Sequence, residues 1–345
     1  MLFQVYQKSS IFELIMNTYN GLLMKKLIIF IFLIVTLITG AIMFISSNNV
    51  ENTEQQRPQV MSMTANVDIP EKMMFAGETY VFDRYDKHER LDRELNSFTY
   101  FHSTTLLLIK NANRYFPIIE PILKQHGIPD DIKYLAVIES SLNPRAISPM
   151  KAVGLWQFMP DTGRQFGLEV TAEVDERYHI EKSTVAACKY LKDAYRKYNS
   201  WSAAAMSYNG GQGRITSELR SQQADDALDL WLVEETTRYF YRILAMKLVF
   251  ENPTQYGFII RAHQLYKPIV FKDVHVSTSI PNLATFAKEQ GLTYAQLKDF
   301  NSWLRSTSLT VRSGKSYTLQ IPTRESLYYK RNEPVKVHNQ RWITQ

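Results

Sequence analysis

Cysteine is almost missing from this chain: Cys188 is the only one in 345 residues. That excludes an internal disulfide and any cysteine-based metal site. The seven histidines are scattered and never form a His-Glu-x-x-His pair, so the zinc-protease arrangement is missing too. No segment repeats at a fixed period. No strand-like run precedes Gly210-Gly211-Gln212-Gly213, so those glycines lack the setting of a phosphate loop. Ser148-Pro149-Met150-Lys151 has the Ser-x-x-Lys spacing of penicillin-recognising enzymes. No Lys-Thr-Gly follows it, however, and Pro149 would disturb the helix that motif needs. Neither a metal nor an organic cofactor is called for.

What is present supports a folded core. Hydrophobic residues make up 45% of the chain and aromatics 12%, with room for an anchor, a catalytic domain and a small accessory module. The formal net charge of +6 favours anionic partners. Nucleic acid, membrane surfaces and anionic cell-wall polymers all qualify, and composition does not separate them. The N-terminus is more decisive. Residues 27–45 form an uncharged, apolar run of about 19 residues, long enough to cross a bilayer as a helix. Lys25 and Lys26 precede it and no Lys or Arg follows until Arg57, which places the N-terminus in the cytoplasm and the bulk of the chain outside. No small-x-small cleavage site and no lipidation cysteine follow Ile45, so an uncleaved anchor is expected. Met24 also resembles a natural start, which would make residues 1–23 an extension.

Residues 46–79 are polar at first and contain Pro58 and Pro70, and they read as a linker. From about residue 80 to 265 helical periodicity dominates, with candidate helices at 91–95, 104–115, 118–126, 131–141, 183–198, 202–208 and 234–249. Gly127 suits a helix C-cap and Pro129 the first residue of the next helix. Beyond residue 270 the texture changes. Val274-His275-Val276 and Tyr317-Thr318-Leu319-Gln320-Ile321 alternate like strands around two short helical stretches, a strand–helix–helix–strand unit spanning 270–323. Residues 324–345 are basic and polar and read as a loosely ordered tail.

Within the helix that follows Pro129, Ile132, Leu135, Ala136 and Leu142 define an apolar face, and Glu139 lies on it. A carboxyl group there is costly unless paired or protonated, and burial would raise its pKa into the range of a general acid. A Glu salt-bridged at a packing seam is the structural alternative. Next come Asn143-Pro144, where the helix should end, then Ser148, and then Gly154-Leu155-Trp156-Gln157-Phe158-Met159-Pro160. Gln157 is an amide among apolar residues and needs a main-chain or ligand partner. Trp156, Phe158 and Met159 fit either a sugar-stacking wall or a core. Further on, Tyr208-Asn209-Gly210-Gly211 closes a small-residue helix, as cap residues or as part of a site.

The order Glu139-Ser140, then Gly154-Leu155-Trp156-Gln157-Phe158-Met159-Pro160, then Tyr208-Asn209-x-Gly211 resembles the soluble-lytic-transglycosylase (SLT) domain, family 23 of the glycoside hydrolases. A fourth element of that family, Glu-Thr-x-x-Tyr, is matched by Glu235, Thr236 and Tyr239, although Phe240-Tyr241-Arg242 stands where Val-Pro-Lys is usual. The resemblance spans residues 85–250 and implies a mainly α, lysozyme-like catalytic domain. It implies Glu139 as the catalytic acid, with Ser148, Gln157, Met159, Tyr208 and Asn209 contacting sugar or positioning the acid, and Tyr239 near Glu139. It further implies cleavage of the β-1,4 bond between N-acetylmuramic acid and N-acetylglucosamine. Most glycosidases use two carboxyl groups, yet apart from Glu235 of the Glu-Thr-x-x-Tyr element no second acid lies in these motifs; Asp161, Glu169 and Asp175 sit in polar, loop-like stretches. A lone acid suffices if the muramyl N-acetyl group attacks C1 and the C6 hydroxyl then closes a 1,6-anhydro ring. The expected partners are peptidoglycan glycan strands and, through the anchor, the membrane, not nucleic acid; the expected location is the inner membrane, with the catalytic domain in the periplasm.

The unit at 270–323 resembles a degenerate LysM module through Leu283-x-x-Phe286-Ala287, Tyr294-x-x-Leu297-x-x-Phe300-Asn301, and Gly314 ahead of Leu319-x-Ile321-Pro322. The usual Gly-Asp-Thr is replaced around Ser277-Thr278-Ser279-Ile280, so glycan binding and a pure packing role both stay open. Two rival readings of the whole chain are a hydrolytic muramidase using the same Glu139 and a non-catalytic wall-binding anchor.

Overall fold

A computed structural model describes residues 66–330 and 334–344, together with Gly21, Lys26, Phe30 and residues 33–36. The expected cytoplasmic segment and anchor fall outside the described residues apart from those few positions, as does the linker up to residue 65. No helix among the described residues is long and apolar enough to cross a membrane. Residues Asn66–Gln345 form one unit.

That unit begins with a hairpin where the sequence pattern suggests the end of a linker. Strands β1 (Lys72–Phe75) and β2 (Glu78–Val81) pair antiparallel, with Lys72 opposite Val81 and Phe75 opposite Glu78. The turn residues Ala76 and Gly77 both have positive φ, 54° and 85°, the sense that matches strand twist. Met73 and Phe75 point inward, and the buried Phe75 ring meets Phe240 edge-on at 5.3 Å. Two inward residues are too short a pattern to stand out in the sequence.

Helix α1 (Tyr85–Tyr100) leads through Phe101 into α2 (His102–Gln125), a single helix where the sequence suggests two. Pro117 and Pro121 lie inside it. Each removes a backbone donor, which ordinarily ends or kinks a helix. Here Leu108, Ala112, Phe116, Ile119 and Leu123 keep one continuous buried stripe across both prolines, and that burial outweighs the lost bonds. A 3-10 turn (Asp130–Ile132) then opens α3 (Lys133–Ser140). Pro129, with ψ 142°, is therefore the extended residue before the turn and not the first helical one. Five further helices follow: α4 (Pro160–Gln165), α5 (Ile180–Tyr198), α6 (Trp201–Gly210), α7 (Gln212–Ser221) and α8 (Glu234–Glu251). Helix α7 is not anticipated by the sequence pattern, because Gly211 and Gly213 at its start are poor helix formers. Helix α8 is the spine; α1, α3 and α6 all pack against it.

The C-terminal module has the expected order: β3 (Phe271–Val276), α9 (Leu283–Glu289), α10 (Tyr294–Phe300) and β4 (Tyr317–Pro322). The strands pair antiparallel with Val274 opposite Leu319. Asn282 and Thr293 cap the two helices through their side chains. The last residues are not loose. Trp342 is buried between Phe116 and Phe250, and its Nε1 donates to the Phe250 carbonyl at 2.8 Å. Asn113, deep in α2, donates to the Lys336 carbonyl and accepts from the His338 amide. One tryptophan and one buried amide outweigh a polar composition.

Candidate active site

Helix α3 delivers Glu139 to the molecule's interior, and the chain then turns at once. Ser141 and Leu142 both adopt the left-handed conformation, each with φ 55°, a strained state for non-glycine residues. The turn is held by the Ser141 amide on the Val137 carbonyl, by the Asn143 amide on the Ser140 carbonyl, and by full burial of Leu142. The helix thus ends before the Asn143-Pro144 step that the sequence suggests as its stop.

Glu139 is half-buried, and burial is the main reason its carboxyl is pushed up from 4.5 to about 7. The hydrogen bond from Tyr239, whose hydroxyl donates to Glu139 Oε1 at 2.6 Å, opposes that rise, as does the positive charge of Arg242. The negative charge of Glu235 adds slightly to it. Among the described residues no carboxylate hydrogen-bonds Glu139, and Glu235 itself is exposed at the start of α8. The other acids near in sequence are engaged elsewhere: Asp161 with Arg164, Glu169 with Lys315, and Asp175 with Arg177.

Two sequence-selected tyrosines lie at this carboxyl, Tyr239 of α8 by its hydrogen bond and Tyr208 of α6 near enough to feel its charge, and Asn209 follows Tyr208 on α6. Tyr208 is half-buried in the last turn of α6; its hydroxyl donates to the Trp156 carbonyl at 2.7 Å, and its ring meets Phe158 and Tyr190 edge-on. Burial first, and then the Glu139 charge, hold the hydroxyls of Tyr208 and Tyr239 well above their ordinary range, so both stay protonated. Asn209 Oδ1 accepts from the Thr236 hydroxyl at 2.9 Å. Closeness is needed here: a Cβ on Gly210 would come within 3.0 Å of the Thr236 methyl group. Thr236, the threonine of the Glu-Thr-x-x-Tyr pattern, is thus the residue that holds Asn209.

The loop between α3 and α4 carries the rest. Gln157 has positive φ (49°), and its amide nitrogen donates to the main chain, to Gly154 O at 2.8 Å and Ala146 O at 3.4 Å. Ser148 Oγ accepts from the Ala152 amide at 3.0 Å and closes a small turn. Of the three apolar residues, Trp156 and Phe158 are core, the Trp156 Nε1 donating to the Thr184 hydroxyl, while Met159 is 41% exposed. Three side-chain bonds therefore tie the four motifs together: Tyr239 to Glu139, Thr236 to Asn209, and Tyr208 to Trp156.

Tyr239→Phe tests the electrostatics. Tyr239 stabilises the charged form of Glu139, so its loss is expected to raise that group's pKa above its present value of about 7. The Glu139 titration midpoint should move to higher pH, on the order of the ~1 kcal/mol of one hydrogen bond. An unmoved midpoint would contradict this electrostatic role of Tyr239.

Residues 116–230 match the Transglycosylase SLT domain, a span that includes Glu139, the Gln157 loop and Tyr208 but stops short of Tyr239. Residues 272–325 match the soluble lytic transglycosylase C-terminal LysM-like domain. The chain is 28% identical over 236 residues to membrane-bound lytic murein transglycosylase D of Escherichia coli K12, covering 67% of this chain and 50% of that protein. The protein of the same name from Escherichia coli O6:H1 matches equally. The chain thus spans about half the length of the curated relatives it matches. Among solved structures it is similar to the 70 kDa soluble lytic transglycosylase of Escherichia coli, with 23% identity, a TM-score of 0.35, and coverage of 40% of this chain and 24% of that one. This mainly helical chain thus matches the Transglycosylase SLT domain over residues 116–230 and the soluble lytic transglycosylase C-terminal LysM-like domain over residues 272–325.

Proposed function

We propose that the chain cleaves peptidoglycan as a lytic transglycosylase with a lysozyme-like catalytic domain, and that Glu139 is its catalytic acid and base. The observation that carries this reading is a carboxyl pushed up to about 7 by burial, held by a tyrosine hydroxyl, with no carboxylate hydrogen-bonded to it among the described residues. Such a group is proton-bearing near neutrality and able to give that proton to a glycosidic oxygen. Protonation of the bridging oxygen releases the N-acetylglucosamine side as an alcohol while the muramyl N-acetyl oxygen bonds to C1. Glu139, now a carboxylate, takes the proton of the C6 hydroxyl, whose oxygen displaces the N-acetyl oxygen from C1. The muramyl end becomes a 1,6-anhydro ring and no water is consumed. Ser148, Gln157, Met159, Tyr208 and Asn209 are proposed to seat the sugars, with Tyr239 orienting the acid.

Retention of polar residues in all four motifs favours catalysis over a non-catalytic wall-binding role. The name of the membrane-bound murein relatives supports a membrane-bound, murein-facing location, which fits an anchor at residues 27–45 and a catalytic domain in the periplasm. A hydrolytic muramidase would use the same Glu139 with water as the final nucleophile, and would need a second carboxylate or a held water near C1. Mass spectrometry of digested sacculi distinguishes the two. Anhydro-ended muropeptides, lighter by one water than reducing ones, are expected; reducing ends alone would overturn the transglycosylase reading.

A further inference from the structure

The hydrophobic core of the LysM-like unit is not its own. Leu283, Leu297 and Leu304 of that unit bury into one cluster with Val153, Val174 and Tyr178 from the SLT domain. The main chain is stitched across the same seam. Val174 bridges Leu304, the Asp175 amide donates to Trp303 O at 2.9 Å, and the Arg305 amide donates to Glu173 O at 2.8 Å. The Ser302 hydroxyl donates to Tyr178 O at 3.2 Å, and the Arg305 guanidinium lies 4.3 Å over the Tyr178 ring.

Directly behind this seam stands a buried ion pair. Asp175 takes Arg177 in a fork, Nη2 at 2.7 Å and Nε at 2.9 Å, and neither side chain is more than 8% exposed. A buried pair of this kind is favourable only when its remaining donors are used. Arg177 Nη1 uses them on two carbonyls, Lys151 O at 3.1 Å and Phe158 O at 3.0 Å. These carbonyls flank the loop that holds Gly154, Trp156 and Gln157. Gly154 lies so close beneath that a Cβ there would fall 2.0 Å from the Arg177 carbonyl. Continuous contacts therefore run from Ser302–Arg305 through Glu173–Asp175 and Arg177 to the loop, and on through the Trp156 carbonyl to Tyr208.

We infer that the LysM-like unit braces the substrate loop, and that Arg177 is the positioning residue that transmits the brace from Asp175 to the Lys151–Phe158 segment. The unit acts through that buried seam and not as a separate glycan clamp. This rests on the proposed function only for its activity arm; the loop arm stands alone.

The test uses the full chain and three variants, Arg177→Met, Arg177→Lys and Leu304→Ala. Hydrogen exchange is followed at the amides of Val153 and Gly154, which donate to Phe158 O and Ala146 O, and compared with amides of α8. Exchange at the two loop amides should rise by about tenfold or more in Arg177→Met and Leu304→Ala, while α8 is unchanged, as for a locally loosened segment. Arg177→Lys, which keeps the charge but not the fork, should fall between. Cleavage of glycan strands should show a lowered kcat, with sacculus pull-down unchanged. Should Leu304→Ala fail to fold, Ser302→Ala, which removes the hydroxyl bond to Tyr178 O across the same seam, takes its place with the same expected rise in loop exchange. Folded variants with unchanged loop exchange would overturn the brace, and so would a Leu304→Ala protein that loses sacculus binding with its loop intact. A wild-type chain that cleaves no glycan would sink the proposed function and leave the exchange result to decide the brace.

Discussion

Glu139→Gln is expected to lower glycan cleavage by about 10²–10⁴-fold, the range that general acid catalysis contributes, while binding to sacculi persists. Glutamine keeps the shape and can still accept from Tyr239, so the loss isolates the proton. The same substitution should change stability in the opposite direction. The folded pKa of Glu139 is raised from 4.5 to about 7, so the native state holds the proton more tightly than the unfolded chain. That contribution is fully present below about pH 4.5 and is lost as pH rises through about 7. Wild type is thus expected to weaken between those limits by up to about 3 kcal/mol, and Glu139→Gln is not. Thermal unfolding at pH 5 and pH 8 should show the variant gaining on wild type only at the higher pH. Equal cleavage by the two proteins would remove Glu139 from the chemistry.

Among the glycines of the described residues, Gly154 is the one whose replacement by alanine should disrupt the molecule most. Its Cβ would meet the Arg177 carbonyl at 2.0 Å, and its φ of +80° is one that side-chain-bearing residues rarely adopt. The obstacle is backbone and has no flexible end to swing aside. Overpacking of this kind costs about 1–3 kcal/mol, and the left-handed conformation adds roughly 1–2 kcal/mol. If the loop moves to avoid the clash, Gln157 and the Trp156 carbonyl that receives Tyr208 move with it. Loss of most cleavage activity is therefore expected together with a lowered melting temperature. Wild-type activity and stability would mean that the loop does not sit against Arg177.

The site was more legible in the sequence than the frame that holds it, for a physical reason. Glu139 on an apolar helical face, an amide within Gly154–Pro160, and Tyr208-Asn209 before glycines are local anomalies, visible without knowing what touches them. Their partners are non-local. The family resemblance puts Tyr239 near Glu139, but local chemistry does not say that its hydroxyl donates there, nor which of the main-chain and ligand partners open to Gln157 its amide takes. The same limit explains the fold. The strand–helix–helix–strand order follows from local alternation around two short helical stretches. Helix α2 escaped because local chemistry at Pro117 and Pro121 argues for a break, while burial of Phe116 and Ile119 from distant elements overrides it. The tail escaped because Trp342 reports its burial only once Phe116 and Phe250 surround it.

The most direct test is a pH titration of the Glu139 carboxyl by infrared difference spectroscopy, wild type minus Glu139→Gln. A protonated-acid band that is present at pH 5.5 and disappears with a midpoint near 7 is predicted. A band already gone by pH 5.5, as for an ordinary solvated glutamate with its pKa near 4.5, would contradict the account.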